Sequence, residues 1–344
     1  MRRFLSLALV LLSLLPCITG CSVRNAPKEK SYFSYFDTFT TISSYAGDGE
    51  ARFLENCAAV EDLLSRYHKL FDIYNPYDGA NNLYTVNEMA GVAPVKVDGE
   101  LIDFLLYAKE IYELTEGETN IALGAVLSLW HDCRAAALDG GNATLPDPAA
   151  LKEAEAHTSI DLLVIDEAAG TVYLTDADAS LDVGAIGKGY AVERAAALLE
   201  ERGAAGYVLN VGGNLHAIGT KPDGEGWVTG ITDPKGGDAL LATLTLSDAA
   251  LVTSGNYERY YTVDGERYHH IIDKDTLYPA RGFSSVTVLT ADSGLADALS
   301  TALFCMTYEE GAALLSSLPE ADALWVTETG EIKMTDGMKQ KLLP

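Results

Sequence analysis

The stretch LDVGAIGKGYAVERAAALLEERG, residues 181–203, decides how the rest of the chain is read. Gly184, Gly187 and Gly189 cluster where an apolar strand-like segment gives way to an alanine- and leucine-rich run. Glycines at such a junction let backbone approach a ligand closely, and the N–H groups that open a helix point at any anion placed there. The spacing predicts a helix over Lys188–Arg202, closed by Gly203 in the left-handed C′ position. Lys188 adds a mobile point charge suited to phosphate. The segment is not a Walker A loop, because no Ser or Thr follows the lysine, and its glycines do not fit the dinucleotide GxGxxG pattern.

Working outward, helical stripes flank this junction. Phe53, Cys57, Val60, Leu64 and Tyr67 share a face over Glu50–Phe71, and Leu101, Phe104, Leu105, Ala108 and Tyr112 do so over Glu100–Leu114. Ile160–Asp166 and Thr171–Thr175 read as a hairpin around Ala168-Ala169-Gly170. Short strands are predicted at Tyr207–Val211, Trp227–Ile231, Leu240–Leu246, Tyr268–Ile272 and Ser285–Leu289. Helices over Gly294–Met306 and Tyr308–Leu318 precede strands at Ala323–Thr327 and Ile332–Met334. Strands and helices interleave without a βαβ rhythm and without a 20–50-residue repeat. The fold class expected is α+β, a single unit of mixed, mainly antiparallel sheets with packed helices.

Residues 1–20 read as a targeting segment. Arg2 and Arg3 precede an apolar run, Phe4–Leu15, too short to span a bilayer. Ile18-Thr19-Gly20-Cys21 resembles a bacterial lipobox, in which the Cys21 thiol accepts diacylglycerol. Residues 21–31 suit a polar tether, leaving 32–344 as the folded unit, lipid-anchored at the extracytoplasmic face of the cell membrane. The chain carries −26, and loss of Arg2 and Arg3 with the signal leaves −28. A surface so acidic repels nucleic-acid phosphates, so nucleic acid is not an expected partner. Cys57, Cys133 and Cys305 are odd in number and show neither disulfide nor zinc spacing, so buried free thiols are expected.

Three further segments carry candidate chemistry. In LADALSTALF, Asp297 and Thr301 lie at i and i+4 on one helix face, where a carboxylate and a hydroxyl form a hard-oxygen pair suited to Mg²⁺. In YHHIID, His269 and His270 should face opposite sides of a strand, so one of them can meet a cleft as acid or base. Thr253–Tyr260 reads as a polar turn with hydroxyls and aromatic faces. His68, His131, His157 and His216 show no ligand spacing.

Taken in order, LDVGAIGKGYAVERAAALLEERG…YVLNVGGN, TSGNYERYY…YHHIID…YPA and ADALSTALF resemble the ApbE family of FAD:protein FMN transferases. FDTFTTI, LFDIYNPYDGANNLYTVN and TEGETNIALGAVLSLWH look like that family's N-terminal flavin-binding half. The resemblance spans nearly all of 32–340. It implies a T-fold-like architecture, FAD as bound substrate, Mg²⁺, and an extracytoplasmic flavin-accepting electron-transfer protein as partner. By position it implies FAD contacts at Phe39, Tyr74, Thr119, Asn120, Ile121, Asp182, Lys188, Ser254, His270 and Ile271. It implies metal ligation by the Ala185 carbonyl with Asp297 and Thr301, and His270 as the base. The chain departs from the family's usual pattern at Ala185, where a second glycine is common. It departs also at TNIALGAVL, where FDPTVGPL is usual, and at Ser300, where some members carry a carboxylate. The expected reaction attaches FMN to a Thr or Ser hydroxyl with release of AMP. A metal-dependent FAD pyrophosphatase using the same site and a solute-binding lipoprotein are the alternatives.

Overall fold

Residues 27–344, apart from 46, 48 and 238, are described in the computed structural model. The lipidation site expected at Cys21, with the signal segment before it, lies outside them. The first half of the chain runs β1 (Lys28–Tyr35), β2 (Thr38–Ser44), α1 (Gly49–Phe71), α2 (Leu83–Glu88), β3 (Val95–Lys96) and α3 (Gly99–Leu114). It continues through α4 (Gly124–Leu138), α5 (Pro148–Ala154), β4 (Leu163–Asp166), β5 (Thr171–Leu174) and α6 (Gly187–Glu201). Then follow β6 (Tyr207–Val211), β7 (Asn214–Ile218), β8 (Trp227–Thr232), β9 (Leu240–Leu246), β10 (Ala249–Gly255), β11 (Tyr260–Val263) and β12 (Glu266–His269). The last elements are β13 (Phe283–Thr290), α7 (Ser293–Cys305), α8 (Tyr308–Ser316), β14 (Asp322–Thr327), β15 (Ile332–Met334) and α9 (Asp336–Lys341).

Eight strands form the main sheet in the order β1-β2-β6-β7-β10-β13-β14-β15, every neighbour antiparallel. Alternation along the strands sorts residues between its two faces. Ala250, Val252, Val286, Val288, Ala323 and Trp325 pack beneath α7, whereas Leu251, Leu289, Leu324 and Val326 pack against the β8–β9 hairpin and Met338 of α9. The β2 and β6 end of the helical face carries Ile42, Tyr207, Leu209 and Val211 into a larger core built on α1, α3 and α6. The expected α+β, antiparallel architecture is what the chain adopts.

Some local expectations need correction. Residues 28–31 are not tether but β1, paired in register with β2, with Lys30 in an ion pair to Glu61 at 2.9 Å. Thr253 and Ser254 are not in a turn. They belong to β10, where their small hydroxyl side chains fit opposite Thr287 and beneath α7. The strand expected over Tyr268–Ile272 ends at His269, so strict alternation does not extend to His270.

Helix α7 is buried on almost every side, through Ala296, Ala298, Leu299, Ala302, Leu303 and Phe304, and yet carries Asp297 and Ser300 inward. Buried polar groups of this kind must find partners. The backbone of α6 supplies one. A Cβ on Gly189 would stand 2.3 Å from the Asp297 Cβ and 2.4 Å from the Ser293 carbonyl oxygen, so the two helices cross at a distance only glycine permits. Gly189→Ala is therefore expected to cost about 1–3 kcal/mol or more through overpacking, read as a lowered denaturation midpoint. Gly99→Ala, where an added Cβ meets nothing within 4 Å, is the control and should stay within a few tenths. Equal stability of the two variants would refute this reading of the crossing.

Candidate functional site

The junction read first in the sequence forms a tight turn followed by a helix with no side-chain cap of its own. Asp182 Oδ1 accepts the Gly184 N–H at 2.8 Å, and the Ile186 N-cap makes no side-chain bond. The missing cap comes from α7, where Asp297 Oδ2 accepts the Gly189 N–H at 2.8 Å and Oδ1 lies 3.6 Å from Lys188 Nζ. A carboxylate at the positive end of a helix is favoured by the dipole as well as by the bond. Gly189 would ordinarily close its turn on the Ala185 carbonyl. Its commitment to Asp297 leaves that carbonyl without a backbone donor among the described residues.

Ala185, Asp297 and Thr301 are three hard oxygen donors, and their chemistry suits Mg²⁺ rather than a thiophilic metal. Asp297 is only 4% exposed. Thr301 Oγ1 is 3.4 Å from Ser254 Oγ, which also meets Ser300 Oγ at 2.8 Å. Ser254 therefore stands beside the Asp297–Thr301 helix face. The tightest cluster of three potential metal-ligating side chains among the described residues is a different one, His157, Asp176 and Asp178. There His157 Nδ1 is 2.7 Å from Asp176 Oδ2, a partly exposed pair that sequence spacing did not signal.

A second group of side chains gathers through α4. Trp130 donates its indole N–H to the Leu277 carbonyl at 2.9 Å and stacks on Tyr268 at 6.0 Å between ring centroids. That docking seats α4 on the β11–β12 hairpin. Arg134, four residues further on, lines the same small cavity as His131, Tyr268, His269 and His270. Both histidines thus meet one cavity, because the strand ends between them. His269 Nε2 bonds the Ala280 carbonyl at 2.9 Å, and burial first, with Arg281 adding, lowers its pKa to about 4. The Arg259 carbonyl takes both the His270 backbone N–H at 3.1 Å and Nδ1 at 3.2 Å. A carbonyl can only accept, so Nδ1 carries the proton and Nε2 is left as the basic nitrogen. Burial first, then Arg259, His269, Lys188 and Arg134, pushes the His270 pKa down to about 3.

The remaining sequence candidates divide into two sets. Phe39 and Tyr74 present exposed rings, 61% and 62% accessible. Only the hydroxyl end of Tyr74 is tucked in, 3.0 Å from His131 Nδ1, and burial there with nearby Asp182 raises its pKa to about 12. His131 lies 3.8 Å from Asp182 Oδ2, and burial lowers its pKa although Asp182 opposes the shift. Thr119, Asn120, Ile121 and Ile271 serve the scaffold in this structure. The Thr119 hydroxyl donates to the Ala298 carbonyl at 2.9 Å, and Asn120 bonds the Ala122 N–H and the Thr158 carbonyl, each at 2.9 Å. Ile121 and Ile271 are buried in the cores. Sequence reasoning missed His131, Arg134 and the Arg259 guanidinium. The one signal was position: His131 and Arg259 lie inside segments quoted above, and Arg134 follows Trp130 by one helical turn.

An antiparallel sheet under a glycine-pinned helix pair, with Lys188, Arg134 and Arg259 all acting on His270, defines an α+β protein with a cationic cluster suited to an anionic ligand. A model of the ApbE family matches residues 36–325, and the chain belongs to that family. It is 34% identical over 302 residues to the FAD:protein FMN transferase of Treponema pallidum, covering 83% of this chain and 81% of that one. It is 30% identical over 287 residues to that of Klebsiella pneumoniae, covering 83% and 86%. Among solved structures, the ApbE protein of Thermotoga maritima superposes with a TM-score of 0.80 at 30% identity, over 92% of this chain and all of that one. A histidine-to-glycine mutant of the flavin transferase ApbE of Vibrio cholerae gives 0.76 at 25% identity, with 92% and 100% covered.

A titration checks the state of His270 in the ligand-free protein. Because its pKa is lowered from 6.5, the neutral form persists as pH falls. Imidazole nitrogen shifts are expected to show the Nδ1–H tautomer from about pH 8 down to about pH 5, where an ordinary histidine would have protonated. A midpoint near 6.5 would contradict the geometry.

Proposed function

We propose that this chain is an FAD:protein FMN transferase, as its relatives are named, and that it attaches FMN to a threonine or serine hydroxyl of an acceptor protein. The observation that carries the reading is the free Nε2 of His270, held by the Arg259 carbonyl within reach of the field of Lys188. The acceptor oxygen attacks the FMN-side phosphorus of FAD as its proton passes to Nε2. The P–O bond to the adenylate side breaks, AMP leaves, and a phosphoester remains on the acceptor. Lys188 and the opening turn of α6 hold phosphate oxygens, and the exposed rings of Phe39 and Tyr74 offer faces to a planar flavin or adenine. Mg²⁺, held by the Ala185 carbonyl, Asp297 and Thr301, would neutralise charge that develops on the diphosphate.

His270 is a weak base when no anion stands beside it. Anionic phosphate beside it favours the imidazolium and so moves its basicity toward neutrality. The acceptor, on this reading, is an electron-transfer protein in the compartment outside the cytoplasm, where a diffusible flavin would be lost. The lipid on Cys21 would hold the enzyme at that face of the membrane. Cys21→Ser should move the protein to the soluble fraction, and unchanged membrane retention would remove the anchor from the proposal.

Incubation with FAD, Mg²⁺ and candidate acceptors should yield one acceptor Thr or Ser carrying FMN, with AMP in equal amount, by mass spectrometry. His270→Ala is expected to slow transfer by about 10²–10⁴-fold while FAD binding holds. Free FMN and AMP without modified protein, across several acceptors, would establish the hydrolytic reading instead.

A further inference from the structure

Two arginines act on His270 that the proposed reaction has not yet used. Arg134 lines the cavity beside His270 from α4, and the Arg259 carbonyl fixes the His270 ring. Neither guanidinium makes a hydrogen bond or an ion pair within 4.0 Å to any described residue. The chain has 50 Asp and Glu against 24 Lys and Arg, yet no carboxylate of a described residue lies within 4.0 Å of either group. Asp182, the carboxylate whose charge acts on Arg134, is already engaged by the Gly184 N–H and faces His131. Arg134 is correspondingly uneasy: burial first, then Arg259, lowers its pKa. Both arginines also act electrostatically on Tyr74, His131 and His270. Two guanidiniums that repel each other beside one histidine, one of them half-buried, favour an anion as partner.

We infer that Arg134 and Arg259 form a clamp for the diphosphate of FAD, working with Lys188 to hold the phosphoryl group against His270. The inference rests on the flavin-transfer reading for its ligand. Three cations about one histidine match a diphosphate better than a single carboxylate. Guanidinium forks bind phosphate oxygens in pairs, and they retain their charge when desolvated. The clamp also explains how His270 becomes competent. Unpaired, the guanidiniums disfavour its protonation. Once paired with phosphate they no longer do, so the base is switched on by the substrate it must act upon. Arg259 is coupled to this most directly, since its backbone orients the ring while its side chain takes the anion.

The test uses the full chain and compares FAD with riboflavin, which lacks phosphate, by quenching of flavin fluorescence. Arg134→Met and Arg259→Met keep much of the aliphatic stem. Each is expected to weaken FAD binding by about ten- to a hundredfold, as for a lost charged hydrogen bond, and to leave riboflavin binding unchanged. Arg→Lys at either position should recover part of the loss. The acid limb of turnover should also move to higher pH in the Met variants, because cations that disfavour imidazolium are gone. Equal losses for FAD and riboflavin would mean a structural role and overturn the clamp. Unchanged FAD binding with a raised acceptor KM would assign the arginines to an acceptor carboxylate and also overturn it. The binding arm needs no acceptor. Wild type that prefers FAD over riboflavin but modifies no protein would therefore sink the transfer reading and leave the clamp intact.

Discussion

A buried carboxylate accepting one backbone N–H holds this architecture together at the point where chemistry is expected. Asp297 sits in a helix closed in by apolar neighbours, and its charge is tolerable only because Gly189 and Lys188 come to meet it. Gly189 can do so because it lacks a Cβ. The same bond draws Gly189 away from the Ala185 carbonyl, which is left without a backbone donor among the described residues. One constraint therefore fixes the helix crossing and caps α6 from outside. Breaking a buried pair of this kind by removing one member leaves the other uncompensated, which commonly costs several kcal/mol. The carboxylate is thus structural before it is anything else.

The second half of the site depends on an aromatic contact. Trp130 pins α4 to the β11–β12 hairpin through Tyr268 and the Leu277 carbonyl. From that anchor His131 and Arg134 reach the cavity that His270 enters just past the end of β12. The electrostatics are local and run against the whole. A chain carrying −26 keeps a small cationic field about His270, and its acidic remainder discourages polyanions.

Much of this was legible in the sequence where one periodicity acts alone. The α6 run and its closing Gly203, at φ +69°, follow from local pattern, as do α1, α3 and α7. That Asp297 and Thr301 lie one turn apart on a single helix needed only helical spacing. Other features were hidden because their cause is distant. Thr253 and Ser254 look like turn residues, yet Thr287 and Ser300 accommodate them inside a sheet. Only Gly124, Val126 and Trp130 of α4 are buried, so its apolar stripe is too thin to announce a helix. His131 and Arg134 acquire meaning from His270 and Arg259, more than a hundred residues away in the chain. His270 itself was found through a motif, whereas its orientation came from a carbonyl eleven residues earlier.

We propose that the α6–α7 crossing brings the oxygens of Ala185, Asp297 and Thr301 into one cation site. Anomalous diffraction from crystals soaked with Mn²⁺ as a stand-in for Mg²⁺, with and without FAD, tests it most directly. The expected result is a peak bonded to the Ala185 carbonyl, an Asp297 carboxylate oxygen and Thr301 Oγ1. A peak confined to His157, Asp176 and Asp178, with Asp297 still held by Lys188 in the FAD-bound crystal, would contradict the account.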